Sequence, residues 1–366
     1  MDLQVVIQER DFTERAIAGQ STLLPKSYSF MAVGGPDRAT ISVGGGASAI
    51  WEAIEWLRCP VNIYDVRGTL AWWGYVHEVN INAGQVQVGV SLDSMANRLM
   101  VVFENLSTGW TSAGTRGATA WMDHAESVAA YGRKERRETA TNMTVAAADY
   151  MRDLLAEFGF PTPLVSRGRA SGTSAELQCR GWWHTLDWQY YSKATAASTV
   201  TTTQISDMVA AFNTGGSWLN ATAQVDNASG VSTNEYRDGD QTYRTAIEAL
   251  LKAGTSANQR LLAEVTSSRV VRVYLEPTAS ETEDLYMDAD SRIWTVYGQE
   301  VEPYTCPVAR WVRLRDVIPD TASLDRLAKP SPFLVERAEY RVADNSYWPE
   351  SRGLPDAWKL GEVDQG

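Results

Sequence analysis

The chain has 366 residues, 44% of them hydrophobic and 21% charged, a balance that excludes a disordered polymer and leaves room for two or three packed domains. Thirty-three Lys and Arg against 45 Asp and Glu give a net charge of -12, which excludes a protein that grips nucleic acid by neutralising its phosphates. Three scattered cysteines, Cys59, Cys179 and Cys306, form neither a disulfide framework nor a metal cluster and read as buried free thiols.

The first 48 residues hold short apolar runs such as 3–7 and the glycines Gly34, Gly35 and Gly44 to Gly46, and read as strands broken by loops. A short helix is expected over 48–58, where Ile50, Ile54 and Leu57 recur at helical spacing behind a capping Ser48. From 61 to 104 the period changes to two. Val61 and Ile63, then Trp73, Tyr75, His77, Val79 and Ile81, then Val86, Val88, Val90 and Leu92 predict an antiparallel meander turning at Asp65-Val-Arg-Gly68 and Asn82-Ala-Gly84. Residues 99–103 close this set, and a small barrel or sandwich would bury its apolar face.

Asp123 and Glu126 stand at capping-box spacing before a helix that should stop at Gly132. A longer helix is expected over 142–158, with Met143, Ala147, Tyr150, Leu154 and Phe158 on one apolar face. Strand signals return at 175–183, helices at 204–212 and 242–253, and strands at 269–275, 284–287, 293–297 and 310–314, with a hairpin tip at Asp288-Ala-Asp-Ser291. The tail from 330 reads as an extended arm. The fold class is therefore α+β, mainly β, with two β-barrel-like domains joined by helical segments. Its parts are N-terminal strands and loops (1–48), a first barrel-like domain (49–120), a helical connector (121–172), a mixed segment (173–268), a second barrel-like domain (269–330) and the C-terminal arm (331–366).

Chemistry is sparse. His77 lies on the apolar face of a strand and His124 in the first turn of a helix; His184 and Asp187 could set an imidazole beside a carboxylate, but no nucleophile elbow accompanies them. Neither His-Glu-x-x-His nor Cys-x-x-Cys occurs, the Asp288 segment has Ile293 and Gln299 where a calcium loop needs Gly and Glu, and the glycine-rich pieces lack a phosphate-loop signature. No catalytic residue, cofactor or metal ligand is assigned, and the chain is expected not to be an enzyme. A wall-hydrolase reading, resting on carboxylate pairs that any acidic chain offers, stays open. The aromatic content of 14 Trp and 15 Tyr against 7 Phe suits surfaces with one dry and one wet side. Trp72, Trp73, Trp182, Trp183, Trp348 and Trp358 are the candidate interface or glycan-stacking residues; for the adjacent pairs the favoured reading sends one ring into a core and the other into an interface. The start shows no signal-peptide pattern and no stretch approaches membrane-spanning length, so synthesis in a cytoplasm is expected.

The blocks Trp51-Glu-Ala-Ile-Glu-Trp-Leu-Arg-Cys-Pro60, Trp72-Trp-Gly-Tyr-Val76, Val90-Ser-Leu-Asp-Ser-Met-Ala-Asn-Arg98 and Tyr131-Gly-Arg-Lys-Glu135, followed by Leu177-Gln-Cys-Arg-Gly-Trp-Trp-His-Thr-Leu186 and Ser331-Pro-Phe-Leu-Val-Glu-Arg-Ala-Glu-Tyr340, resemble minor tail proteins of long-tailed phages. Within these they are similar to the hub proteins at the tip of the tail tube, related to the baseplate hubs of contractile tails. The resemblance implies a homotrimer whose two hub-type β-barrel domains per chain form a pseudo-sixfold ring docked on a sixfold tube. It further implies a place in the virion tail tip, with the tail tube or distal tail protein, the tape measure protein and tip or fibre proteins as partners. DNA would pass through without specific binding, helped by an acidic bore. A distal tail ring protein and a carbohydrate-binding receptor-recognition tip protein are the alternatives.

Overall fold

The computed structural model describes residues 3–15, 22–105, 116–167, 172–191, 198–214, 218–226, 230–234, 241–287, 294–296, 299–300, 305–315, 333–343 and 345–351. The fold is α+β and mainly β. The strands are β1 Gln4–Ile7, β2 Thr22–Met31, β3 Gly35–Gly44, β4 Pro60–Tyr64, β5 Leu70–Ala83, β6 Val86–Ser91, β7 Arg98–Asn105, β8 Arg116–Ala118, β9 Met122–Asp123, β10 Glu135–Met143, β11 Leu164–Arg167 and β12 Thr173–Arg180. After them come β13 Ser198–Val200, β14 Gln224–Val225, β15 Ser232–Asn234, β16 Leu261–Val265, β17 Val271–Leu275, β18 Glu283–Met287, β19 Trp294–Val296, β20 Gln299–Glu300, β21 Trp311–Arg315, β22 Phe333–Arg341 and β23 Ser346–Ser351. The α-helices are α1 Ala47–Glu52, α2 Ala125–Tyr131, α3 Val145–Leu155, α4 Thr201–Thr214 and α5 Tyr243–Ala253.

One 14-stranded sheet forms the body, running β1-β4-β5-β12-β3-β2-β22-β21-β18-β19-β20, with β6 on β5, β11 on β6, and β23 on β22. The path from β11 through β6, β5, β12, β3, β2 and β22 to β23 is antiparallel at every step. Its alternating residues make the core: Val61 and Ile63 on β4, Tyr75, Val79 and Ile81 on β5, Leu177 and Cys179 on β12, and Ala338 and Tyr340 on β22 are all buried. Helix α5 and β16 and β17 extend this core through Ala246, Ile247, Leu250, Val265 and Val273. A second sheet, β10-β7-β8 with β9 on β7, flanks the body, and α3 packs on it. Among the described residues its own core is Val101, Phe103 and Ala148, with Ala140, Met143 and Met151 packed against them.

The meander forms over β4, β5 and β6, residues 60–91, with the turns at Asp65 and Gly84 in place. Residues 99–103 do not close it, because β7 joins the second sheet, parallel to β10. The three cysteines are buried and free. Several local expectations are corrected. Residues 22–44 are not broken runs but two ten-residue strands, reversing at Gly34 and Gly35. The helix after Gly46 has that glycine, not Ser48, at its N-cap, and tightens to a 3-10 turn at Ala53–Trp56. The Asp123 capping box does not form: His124 takes the cap position of α2 without a side-chain bond, although Gly132 ends the helix as expected.

The sheets are open, so the barrel closure expected for the two β units is not found among the described residues. The strands at 283–287 and 311–315 join the same body sheet through β22. Nor is all of 331–366 an arm laid over the surface: β22 sits inside the sheet against β2, with Val335, Ala338 and Tyr340 buried. The proposed hairpin tip at 288–291 lies outside the described residues.

Candidate functional site

The densest constellation is built around Arg58, which leaves the 3-10 turn after α1 in a left-handed conformation, φ 69°. That turn aims its side chain inward, where it is 1% exposed. Its guanidinium carbon lies 4.4 Å from the ring centres of Tyr75, Trp188 and Trp218 and 4.9 Å from that of Trp182. Nε donates to the Tyr131 carbonyl at 3.0 Å, while Nη1 and the Tyr75 hydroxyl are buried without a partner among the described residues. Burial lowers the Arg58 guanidinium to about 10 and raises the Tyr75 phenol to about 12, because each charged form loses water. Arg10 lies over the Tyr131 ring at 4.6 Å and Arg269 over Phe12 at 3.5 Å, and Phe12 in turn packs on Trp182 and Trp218. Each ring face offers a cation a favourable quadrupole, about 0.5–2 kcal/mol per contact. Sequence reasoning missed this cluster: its members are spread from Arg10 to Arg269, and only the Trp-rich blocks hinted at it.

Trp182 and Trp183 reach the centre because Gly181 follows the end of β12 and caps the next turn, where a Cβ would lie 1.8 Å from the Pro36 carbonyl oxygen. Only glycine lets the two backbones approach so closely. Both rings then sit on a 3-10 helix, Trp182–Trp188, rather than on a strand, so they do not split to opposite faces and both are buried. Trp72 is fully buried, its Nε1 donating to the Ser29 carbonyl, and half-buried Trp73 donates to the Val265 carbonyl. As candidate interface or glycan platforms, Trp72, Trp182 and Trp183 are therefore corrected to core residues, since a stacking ring needs an open face. Trp348 is 50% exposed, and Trp358 lies outside the described residues.

Two histidines meet carboxylates. His184 Nε2 is 2.9 Å from Asp37 Oδ1, and Asp37 also accepts from Ser29 Oγ and faces Arg337 at 3.4 Å. The order is Ser-Asp-His: Ser29 bonds the carboxylate instead of the imidazole, so His184 is not placed to take its proton as a triad base does. Asp187, the carboxylate expected to join His184, pairs instead with Arg244 at 2.9 Å. Burial alone would raise the Asp37 carboxyl, but the His184 bond and the charge of Arg337 hold it below its ordinary range. His77 Nε2 lies 3.0 Å from Asp93 Oδ2, with Arg180 and Lys134 on the same carboxylate. Burial pushes Lys134 down to about 8. His124 packs edge-on against Phe160. No group of three or more His, Cys, Asp or Glu side chains able to hold a metal occurs among the described residues.

The outer surface of the flank carries a different signal. On α3, Ala148 faces inward, whereas Val145, Tyr150 and Leu154 are 55%, 66% and 49% exposed. Of the expected apolar face, Ala147, Tyr150 and Leu154 point to solvent, whereas Met143, which ends β10 before the helix, packs on the flank core. Phe160, Leu164 and Val165 continue the exposed apolar run, and all four residues of β11 are exposed. Strand β11 pairs only with β6 among the described residues. The edge strand β23, by contrast, carries Pro349 and Glu350, the means by which natural edges resist further pairing.

No family model matches the chain, and no curated protein does. Among solved structures, it is similar to the E. coli c3393 protein, a type VI secretion component described as structurally similar to the T4 bacteriophage tail proteins gp27 and gp5. That likeness has a TM-score of 0.40 at 8% identity, over 96% of this chain and 78% of the other. The tail protein from Neisseria meningitidis MC58 is similar at TM-score 0.40 and 7% identity over 95% of both chains. The prophage tail protein gp18 from Listeria monocytogenes EGD-e is similar at TM-score 0.39 and 8% identity over 99% of both. At these values the function has to be argued from the chain's own residues.

Proposed function

We propose that the chain is a structural, non-enzymatic subunit of a phage-type tail: the hub ring that closes the tail tube and connects it to the distal tail ring and to tip or receptor-binding proteins. The observation that carries an assembly role is the exposed apolar surface of Val145, Tyr150, Leu154, Phe160, Leu164 and Val165 beside the edge of β11 that pairs with no other strand among the described residues. Apolar side chains concentrated in one segment, next to unpaired backbone groups, are what a subunit interface covers. The tail context rests on the resemblance of the sequence blocks quoted above. On this reading the chain forms a homotrimer in the virion tail tip, contacts the tape measure and tail tube proteins, and lets DNA slide past an acidic bore. The division of the chain into domains and connectors belongs to the same proposal, as parts that share one open sheet rather than as closed barrels. The carbohydrate reading has lost three of its platforms, since Trp72, Trp182 and Trp183 are sealed in the core.

The test is the oligomeric mass of the purified chain together with its copy number in intact particles. Three copies support the hub ring; six move the assignment to a distal tail ring. A stable monomer absent from particles overturns the proposal.

A further inference from the structure

Arg10, Arg58 and Arg269 stand together in a chain of net charge -12, and none of the three is paired with a carboxylate among the described residues. Arg10 donates to the carbonyls of Leu57 and Glu55, Arg58 to that of Tyr131, and Arg269 to that of Trp218. The side chains of Glu52 and Glu55, in the segment that leads into Arg58, pair with Arg15 instead. Arg10 and Arg269 both repel the Arg58 charge. A fully buried cation without a counter-charge is among the costliest groups a fold can carry. The two buried polar atoms left unpartnered beside it, Arg58 Nη1 and the Tyr75 hydroxyl, are both able to donate.

We propose that this cluster is an anion site of the halide class, in which a single monatomic anion accepts from Arg58 Nη1 and the Tyr75 hydroxyl within the field of Arg10 and Arg269. Donors without acceptors call for a ligand that only accepts. The four rings pack directly on the guanidinium, 4.4 to 4.9 Å from its carbon, so a tetrahedral oxyanion has no place against it and only a single-atom ion is small enough to reach Nη1. Arg10 and Arg269 are only half-buried and supply the side from which an ion would enter. The bound anion would fix the junction of the N-terminal segment, β5, the 3-10 helix at Trp182 and the carbonyl end of α2. The inference does not depend on the assembly role.

The experiment compares thermal unfolding of the full chain in sodium chloride or bromide with sodium gluconate at equal ionic strength, and locates bromide by anomalous diffraction. The expected result is a Tm higher by about 2–4 °C in the halides, rising with their concentration, and a bromide peak within hydrogen-bond distance of Arg58 Nη1. Tyr75→Phe should weaken the halide dependence and Arg58→Met abolish it. Where Arg58→Met does not fold, Tyr75→Phe and the bromide map decide. Equal Tm in halide and gluconate, or no bromide at Arg58, overturns the proposal and leaves the ring faces as the sole compensation of the charge.

Discussion

The body sheet and the flanking sheet of β7 to β10 are built on opposite economies of burial. The body encloses Trp56, Trp72, Trp183, Tyr28, Tyr75 and Tyr340 almost completely. The flank encloses Val101, Phe103 and Ala148, while its helix turns Tyr150 and Leu154 outward. What fastens the flank is polar: buried Asn97 donates to the Gly132 carbonyl at 2.8 Å and accepts from the Lys134 backbone N–H at 2.7 Å, and Ser127 donates to the Gly159 carbonyl. The difference teaches where each part obtains its stability. The body obtains it from its own core, whereas the flank depends on hydrogen bonds among its own segments and, on the proposed reading, on another subunit.

Removing a body ring should break the whole molecule. Trp183→Ala is expected to cost about 3–5 kcal/mol, read as a lower urea midpoint for every spectroscopic probe at once. Asn97→Ala should act more narrowly, costing about 1–3 kcal/mol by leaving the Gly132 carbonyl and Lys134 N–H without it. Limited proteolysis should then cut within 98–160 first, and simultaneous loss of body and flank would show that the two are one cooperative unit.

Acid probes the contact between them. His77, its Nε2 3.0 Å away, holds the Asp93 carboxyl well below its usual range, helped by Arg180 and Lys134 and opposed by burial. The unfolded chain therefore takes up this proton first as pH falls. The resulting stability is complete above the ordinary aspartate value of about 3.9 and is lost as pH falls through the native one. Asp93→Asn should flatten this acid limb in denaturant titrations; an unchanged limb would show that Asp93 is not its source. The smallest effect on stability is expected for Leu164→Lys with Tyr150→Lys, within about 0.5 kcal/mol for the isolated chain because both sites are exposed. The same pair should abolish oligomers in sedimentation. A large loss of monomer stability would mean that this surface is covered within the chain itself.

The mainly β class, the 60–91 part of the meander, the helices near 145–155, 201–214 and 243–253 and the three buried thiols were legible because each rests on local periodicity or composition, whereas the move of β7 into a second sheet beside β10 rests on a non-local pairing. The misreadings share a cause. Helix α3 shows one apolar stripe in the sequence, and periodicity says that a stripe is covered without saying by what. The Trp182 and Trp183 pair was read on a strand, whereas Gly181 starts a 3-10 turn that carries both rings inward. The Arg58 cluster joins residues from Arg10 to Arg269 through tertiary packing, and no spacing rule brings those positions together.

Hydrogen exchange of the isolated chain against the same chain in assembled particles tests the central claim most directly. The account predicts that amides of α3 and β11 exchange rapidly in the free chain and become strongly protected on assembly, while those of β5 and β12 are slow in both. Exchange at 145–167 that stays equally fast in assembled particles would contradict it.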